Sequence, residues 1–183
     1  MAVAAAEKAV ALDPNDAANH WHLGYVLAYE RRWSESEAAL ETARKLDPNS
    51  ADEWGLLDLA DLSVQSGRPI DAMEQLGKAL RLNPHPMNSY YWALGQAQYA
   101  ARRYESAVET LRKDETYRTG SRRILAASLA QLGRVEEAHL EAELFMVSNP
   151  HFTISYWAAV QPFRDTATLE HFIEGYRKAG LPK

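Results

Sequence analysis

The stretch KLDPNSADEW, residues 45–54, decides the fold once it is set beside ALDPNDAANHW at 11–21. Each carries a Leu, then Asp-Pro-Asn, then small and acidic residues that lead into a new run opened by tryptophan. RLNPHPMNSYYW at 81–92 and VSNPHF at 147–152 repeat the theme. A proline that closes one helical run, followed by residues able to cap the next, marks a helix boundary. The prolines stand at 14, 48, 84 and 150, so the first two steps are 34 and 36 residues and the last, 66, is about twice that. A fixed period of this length is the mark of a repeat architecture.

Between the prolines lies a second landmark. RRWSESEAAL (31–40), SGRPIDAMEQL (66–76), ARRYESAVETL (101–111) and LGRVEEAHLEA (132–142) place Ser36, Ala72, Ala107 and Ala138 in one slot, at steps of 36, 35 and 31. Each unit therefore reads as two helical stretches joined by a tight turn. Apolar residues recur at helical spacing in the first stretch, as in Leu23, Val26 and Leu27 or Leu125, Leu129 and Leu132. The small residue early in the second stretch, with Gly24 and Gly95 in the first, lets the two helices approach closely. Neither helix buries its stripe alone, so the units must stack. The expectation is an all-α, right-handed solenoid of helical hairpins.

Composition agrees. The chain has 183 residues, 46% hydrophobic and 25% charged, with no cysteine and a formal charge of −5. Disulfides and thiolate chemistry are excluded. The acidic balance argues against nucleic acid as a partner. Apolar runs stop well short of the ~20 residues that span a bilayer, which argues against membrane insertion. The first residues lack a secretory pattern, and a cytoplasmic location is expected.

The pattern resembles the tetratricopeptide repeat family, through Leu23-Gly24, Leu94-Gly95, Ala72, Ala107, Ala138, Leu40, Leu111, Ala43, Ala79, Pro48 and Pro84. Units are expected at about 17–50, 53–86, 88–118 and 119–152. The second has two extra residues and Ala60 in place of glycine; the third lacks its proline and runs through KDETYRTGS. Residues 1–16 read as half a repeat, a second helix whose Ala2, Ala6 and Ala9 match Ser36, Leu40 and Ala43. Residues 153–183 read as capping helices, with a turn at Gln161-Pro162, a helix from about Thr166 to Ala179 capped by Asp165 or Thr166, and a stop at Gly180 and Pro182. Three stretches from 90 onward, ending in FRDTATLEHFIEGYRKAGLP (163–182), are similar to the carboxy-terminal repeat region of bacterial class III adenylate/guanylate cyclases. The resemblance covers about 80–183 and implies a regulatory or scaffolding part of a larger signalling protein; the cyclase catalytic domain has no counterpart here.

Catalytic signals are weak. His20 and His22 sit two apart on a helix and diverge, and the other four histidines are scattered. Asp58 and Asp61 share a helical face, yet a wet groove position explains them as well as acid–base work does. No phosphate loop or nucleophile elbow is present, so no enzyme and no cofactor are expected. Arg31-Arg32 and Arg102-Arg103 stand where the family usually has glycine, at helix ends where cations offset the helix dipole.

The groove is the expected site. The resemblance implies a concave face lined by the first helices, here by Trp21, Tyr25 and Tyr29, then Trp54, Leu57 and Asp61, then Trp92, Gln96 and Tyr99, and Arg123 in the fourth unit. Residues 21, 25 and 29 are spaced i, i+4, i+8 and form one stripe. Either these aromatics are packing, or they anchor a peptide. The groove reading is favoured because leucines such as Leu23, Leu27 and Leu40 already fill the core positions. The positions that carry Lys and Asn in the carboxylate-clamp members hold Trp21 and Tyr25, which argues against an acidic tail as ligand. A protein or peptide partner is expected; the alternative is self-association into a homo-oligomer through an exposed terminal repeat.

Overall fold

The computed structural model describes residues 1–47, 53–82, 88–113 and 119–183. Pro48, Pro84, His85 and most of KDETYRTGS lie outside the described residues, as does the side chain of Trp54. The helices are α1 (Ala2–Leu12), α2 (Ala17–Tyr29), α3 (Trp33–Leu46), α4 (Glu53–Gln65), α5 (Pro69–Leu82) and α6 (Asn88–Ala100). They continue as α7 (Tyr104–Leu111), α8 (Thr119–Gln131), α9 (Val135–Ser148), α10 (Ile154–Val160) and α11 (Thr166–Lys178). Among the described residues there is no strand. The pairs α2/α3, α4/α5, α6/α7 and α8/α9 form hairpins, α1 packs on α2, and the first helices stack in the order α2, α4, α6, α8. The fold is an α-solenoid.

The small-residue slot does what its spacing implies. Ser36, Ala72, Ala107 and Ala138 are all fully buried. Ser36 Oγ donates to the Gly24 carbonyl at 2.6 Å, so the hairpin is held at its closest point by a side chain as well as by contact. A Cβ on Gly24 would lie 2.7 Å from Leu40, too near for any other residue without displacement.

All four hairpin turns close in the same way. The backbone N–H groups of Arg32, Arg68, Arg103 and Arg134 return to the carbonyls of Leu27, Ser63, Gln98 and Leu129, a Schellman-type closure. It needs one residue in the left-handed region. Gly67 (φ 77°) and Gly133 (φ 73°) supply it cheaply, whereas Arg31 (φ 58°) and Arg102 (φ 60°) adopt it against their Cβ, at about 1 kcal/mol each.

The carboxy-terminal segment reaches further than the end of the stack. Asp165 caps α11 by accepting from the Thr168 N–H at 2.8 Å, which with the Thr168 hydroxyl holds its carboxyl below the usual range. Gly180 (φ 82°) ends the helix. α11 packs chiefly on α8 and also touches α6, α4 and α10. It thus lies lengthwise across the first helices, on the face expected to form the groove. The core divides accordingly. One cluster runs from Leu57 through α6–α9 to Phe172, Tyr176 and Leu181, and a smaller one holds Trp21, Ala28, Leu40, Ala43, Leu59 and Leu62.

Candidate functional site in the concave face

In its carboxy-terminal half the concave face is already occupied. Tyr99 is fully buried, and its hydroxyl donates to the His171 carbonyl of α11 at 2.9 Å. Its ring stacks on His171 with centroids 4.7 Å apart and meets Phe172 at 4.9 Å. Burial, with the nearby Arg102 charge, pushes the His171 imidazole below its ordinary pKa. Gly175 crosses Tyr99 so closely that a Cβ there would collide with the phenol oxygen, and it would also meet Ala127 at 3.1 Å. Arg123 meets the same segment. Its guanidinium lies 5.3–5.9 Å from the rings of Trp157, Tyr176, Phe152 and Phe145, a cage drawn from three helices and a loop.

Polar contacts tie the leading end of this segment to the first two units. Arg31 donates to the carbonyls of Phe163 at 3.3 Å and Gln161 at 3.1 Å. The backbone N–H groups of Arg164 and Asp165 both donate to the Gln65 carbonyl, at 3.0 and 3.1 Å, and Arg164 pairs with Glu37 at 2.7 Å. Arg31 therefore has a specific partner in addition to its place at a helix end.

The amino-terminal half of the face differs. Tyr25 is half-buried and Tyr29 is 41% exposed, with hydroxyls 3.2 Å apart and ring centroids at 5.0 Å. Asp61, half-buried, accepts from Gln96 Nε2 at 2.6 Å and from Gln65 Nε2 at 2.9 Å. Burial is the main reason its pKa rises to about 6; the Gln96 bond opposes that rise and Asp58 adds to it. Both phenols are raised too, first by burial, with Asp61 and Asp58 adding to the effect. These groups share one electrostatic environment.

The expected stripe is thus split. Trp21 is buried against Leu59 and Leu62, and Leu57 (8% exposed) and Tyr99 belong to the main core. Trp92 is half-buried against that core and Gln96 is 8% exposed. Tyr25, Tyr29 and Asp61 remain accessible together, with Asp58 beside them. What sequence reasoning missed is the occupant. His171, Phe172, Ile173 and Tyr176 come from the segment read only as a cap, although its aromatic richness beyond the last repeat was a usable signal. Among the described residues no cluster of His, Asp or Glu is arranged to hold a metal ion, and no helix is long and apolar enough to cross a membrane.

Comparisons with known proteins agree with the architecture. The sequence model of the family described as anaphase-promoting complex, cyclosome, subunit 3 matches residues 71–141, from α5 into α9. No curated protein matches the chain. The crystal structure of YrrB, described as a TPR protein with an unusual peptide-binding site, superposes with a TM-score of 0.57 at 18% identity. The match covers 96% of this chain and 90% of that one, and at such identity it speaks for the fold alone. The fold is that of a tetratricopeptide solenoid.

Proposed function

We propose that the chain is a non-enzymatic protein–protein interaction module that receives a peptide or helix in the amino-terminal half of its concave face. One observation carries the reading: this face buries a helix already, its own α11, while the Tyr25–Tyr29 pair stays partly exposed, Tyr29 by 41%. Aromatic side chains with polar tips are effective anchors, since they bury large area with little conformational entropy to lose. The description of YrrB as having an unusual peptide-binding site accords with this use of the fold. Within the same proposal, the resemblance to the cyclase tail supports reading the module as a regulatory or scaffolding part of a larger bacterial signalling protein in the cytoplasm.

Selection of random linear peptides on the immobilised protein tests the reading. Enriched peptides that lose binding to a Tyr25→Ala/Tyr29→Ala variant of unchanged helical content support it. Failure to enrich any peptide sinks it. A second reading, self-association, draws on a separate observation: Leu140 (55% exposed), Leu144 and Val147 line the outer side of α9, and α1 buries no residue. Concentration-dependent sedimentation decides it, since a strict monomer at high concentration removes it.

A further inference from the structure

Between α2 and α4 the concave face brings together the Asp61 carboxylate, the Tyr25–Tyr29 hydroxyl pair and the Gln65 carboxamide. Asp61 is met by two amides, not by a cation. Asp58 stands one turn earlier on the same helix, and the phenol pair Tyr25–Tyr29 lies in the field of both carboxylates. Gln65 adds an independent observation. Its side chain is 1% exposed and its amide nitrogen is spent on Asp61, yet its carboxamide oxygen has no donor. A buried carbonyl oxygen left unpaired is costly and rare, and what it lacks is an N–H. The chain's own nearby cation, Arg123, is held by its four rings and forms no ion pair with Asp61 among the described residues.

We infer that this face recognises a basic side chain, arginine or lysine, presented by the partner segment. The inference rests on the interaction-module reading and specifies its ligand chemistry. A guanidinium offers five N–H donors and no acceptor, which suits the Asp61 carboxylate with the phenol oxygens and the unpaired Gln65 carbonyl beside it. Its planar face can lie against the Tyr25 or Tyr29 ring. An acidic segment would meet repulsion here, and a neutral one would leave the Asp61 charge balanced by amides alone in a partly dry setting.

The peptide selection described above also tests this. Enriched peptides should share an arginine or lysine. Replacing that residue by citrulline, which keeps the shape and removes the charge, should weaken binding about tenfold or more. Asp61→Asn, checked by circular dichroism for an intact fold, should erase the preference of arginine over citrulline. Raised salt should weaken binding of the arginine peptide more than that of its citrulline analogue. Peptides that bind without any basic residue, or that bind Asp61→Asn equally well, would overturn the inference and leave the module reading standing. A protein that enriches no peptide would overturn both.

Discussion

The two halves of the concave face are built from equivalent helices and end in opposite states. Around Tyr99 and Arg123 the face is dry and ring-packed, filled by a helix from the same chain. Around Tyr25 and Asp61 it is polar and hydrogen-bonded, with Tyr29 41% exposed. Both halves present aromatic side chains on the inner face, and Trp21 and Trp92 share a register position, although Tyr25 and Tyr29 correspond to Gln96 and Ala100 and Tyr99 corresponds to Ala28. What separates them is whether α11 passes overhead, so an aromatic on this fold's inner face says little until its cover is known.

The strongest way to break the comparison is to evict the occupant. Gly175→Leu should destabilise the protein by more than about 3 kcal/mol in denaturant unfolding, because the new side chain has nowhere to go beside Tyr99 and Ala127. Unchanged stability would mean that α11 is not seated as described. A milder cut, Tyr99→Phe, removes the hydroxyl that donates to the buried His171 carbonyl and should cost about 1–2 kcal/mol. The counterpart Tyr29→Phe in the open half should stay within about 0.5 kcal/mol, and equal losses at both sites would erase the distinction drawn here.

Acidity sharpens it further, because the two halves respond with opposite sign. The folded chain holds the Asp61 proton more tightly than the unfolded chain does, since burial raises that pKa to about 6. Stability from this group is therefore complete below the ordinary carboxylate value and declines as pH rises through about 6. Asp61→Asn should remove that decline and gain on the order of 1 kcal/mol at pH 7, by thermal unfolding across pH; Asp58, Arg123, Gln65 and Gln96 are the groups that face it. His171 is shifted down, so its contribution is present above the ordinary imidazole value and lost as pH falls. In Asp61→Asn the remaining slope near pH 6 should have the His171 sign.

The smallest expected effect is at Arg31→Gly. Relief of the left-handed backbone, about 1 kcal/mol, opposes the loss of two hydrogen bonds to 161–163, so global stability should hardly move. Hydrogen exchange at residues 161–165 should quicken all the same. Protection left intact there would show that the Gln65 and Glu37 contacts suffice.

Much of this was legible in the sequence because it is local. The slot of Ser36, Ala72, Ala107 and Ala138 follows from how near two helices joined by a short turn must come, and each of the four is fully buried. Spacing along one helix was legible for the same reason: Tyr25 and Tyr29, one turn apart, pair through their rings and hydroxyls. Burial on the concave face was not legible, because it depends on contacts between residues far apart along the chain. The premise that leucines fill the core and leave the aromatics free also gives way at Trp21, which sits in a cluster with Leu40, Leu59 and Leu62 while Leu23 and Val26 are only half-buried. Nothing in one helix shows that the neighbouring unit leaves room for an indole.

The contact between Arg31 and residues 161–163 has a consequence for how the molecule assembles. Stacked hairpins touch only their neighbours, so such arrays can melt piecemeal from either end. Here hydrogen bonds across sequence separations of 130 and 132 fasten the last segment to the first hairpin. That turns an open row into a closed loop, which favours loss of structure in a single cooperative step. Its closing contacts are also entropically expensive, so they form late, and on a ribosome they wait until residues 161–163 have emerged.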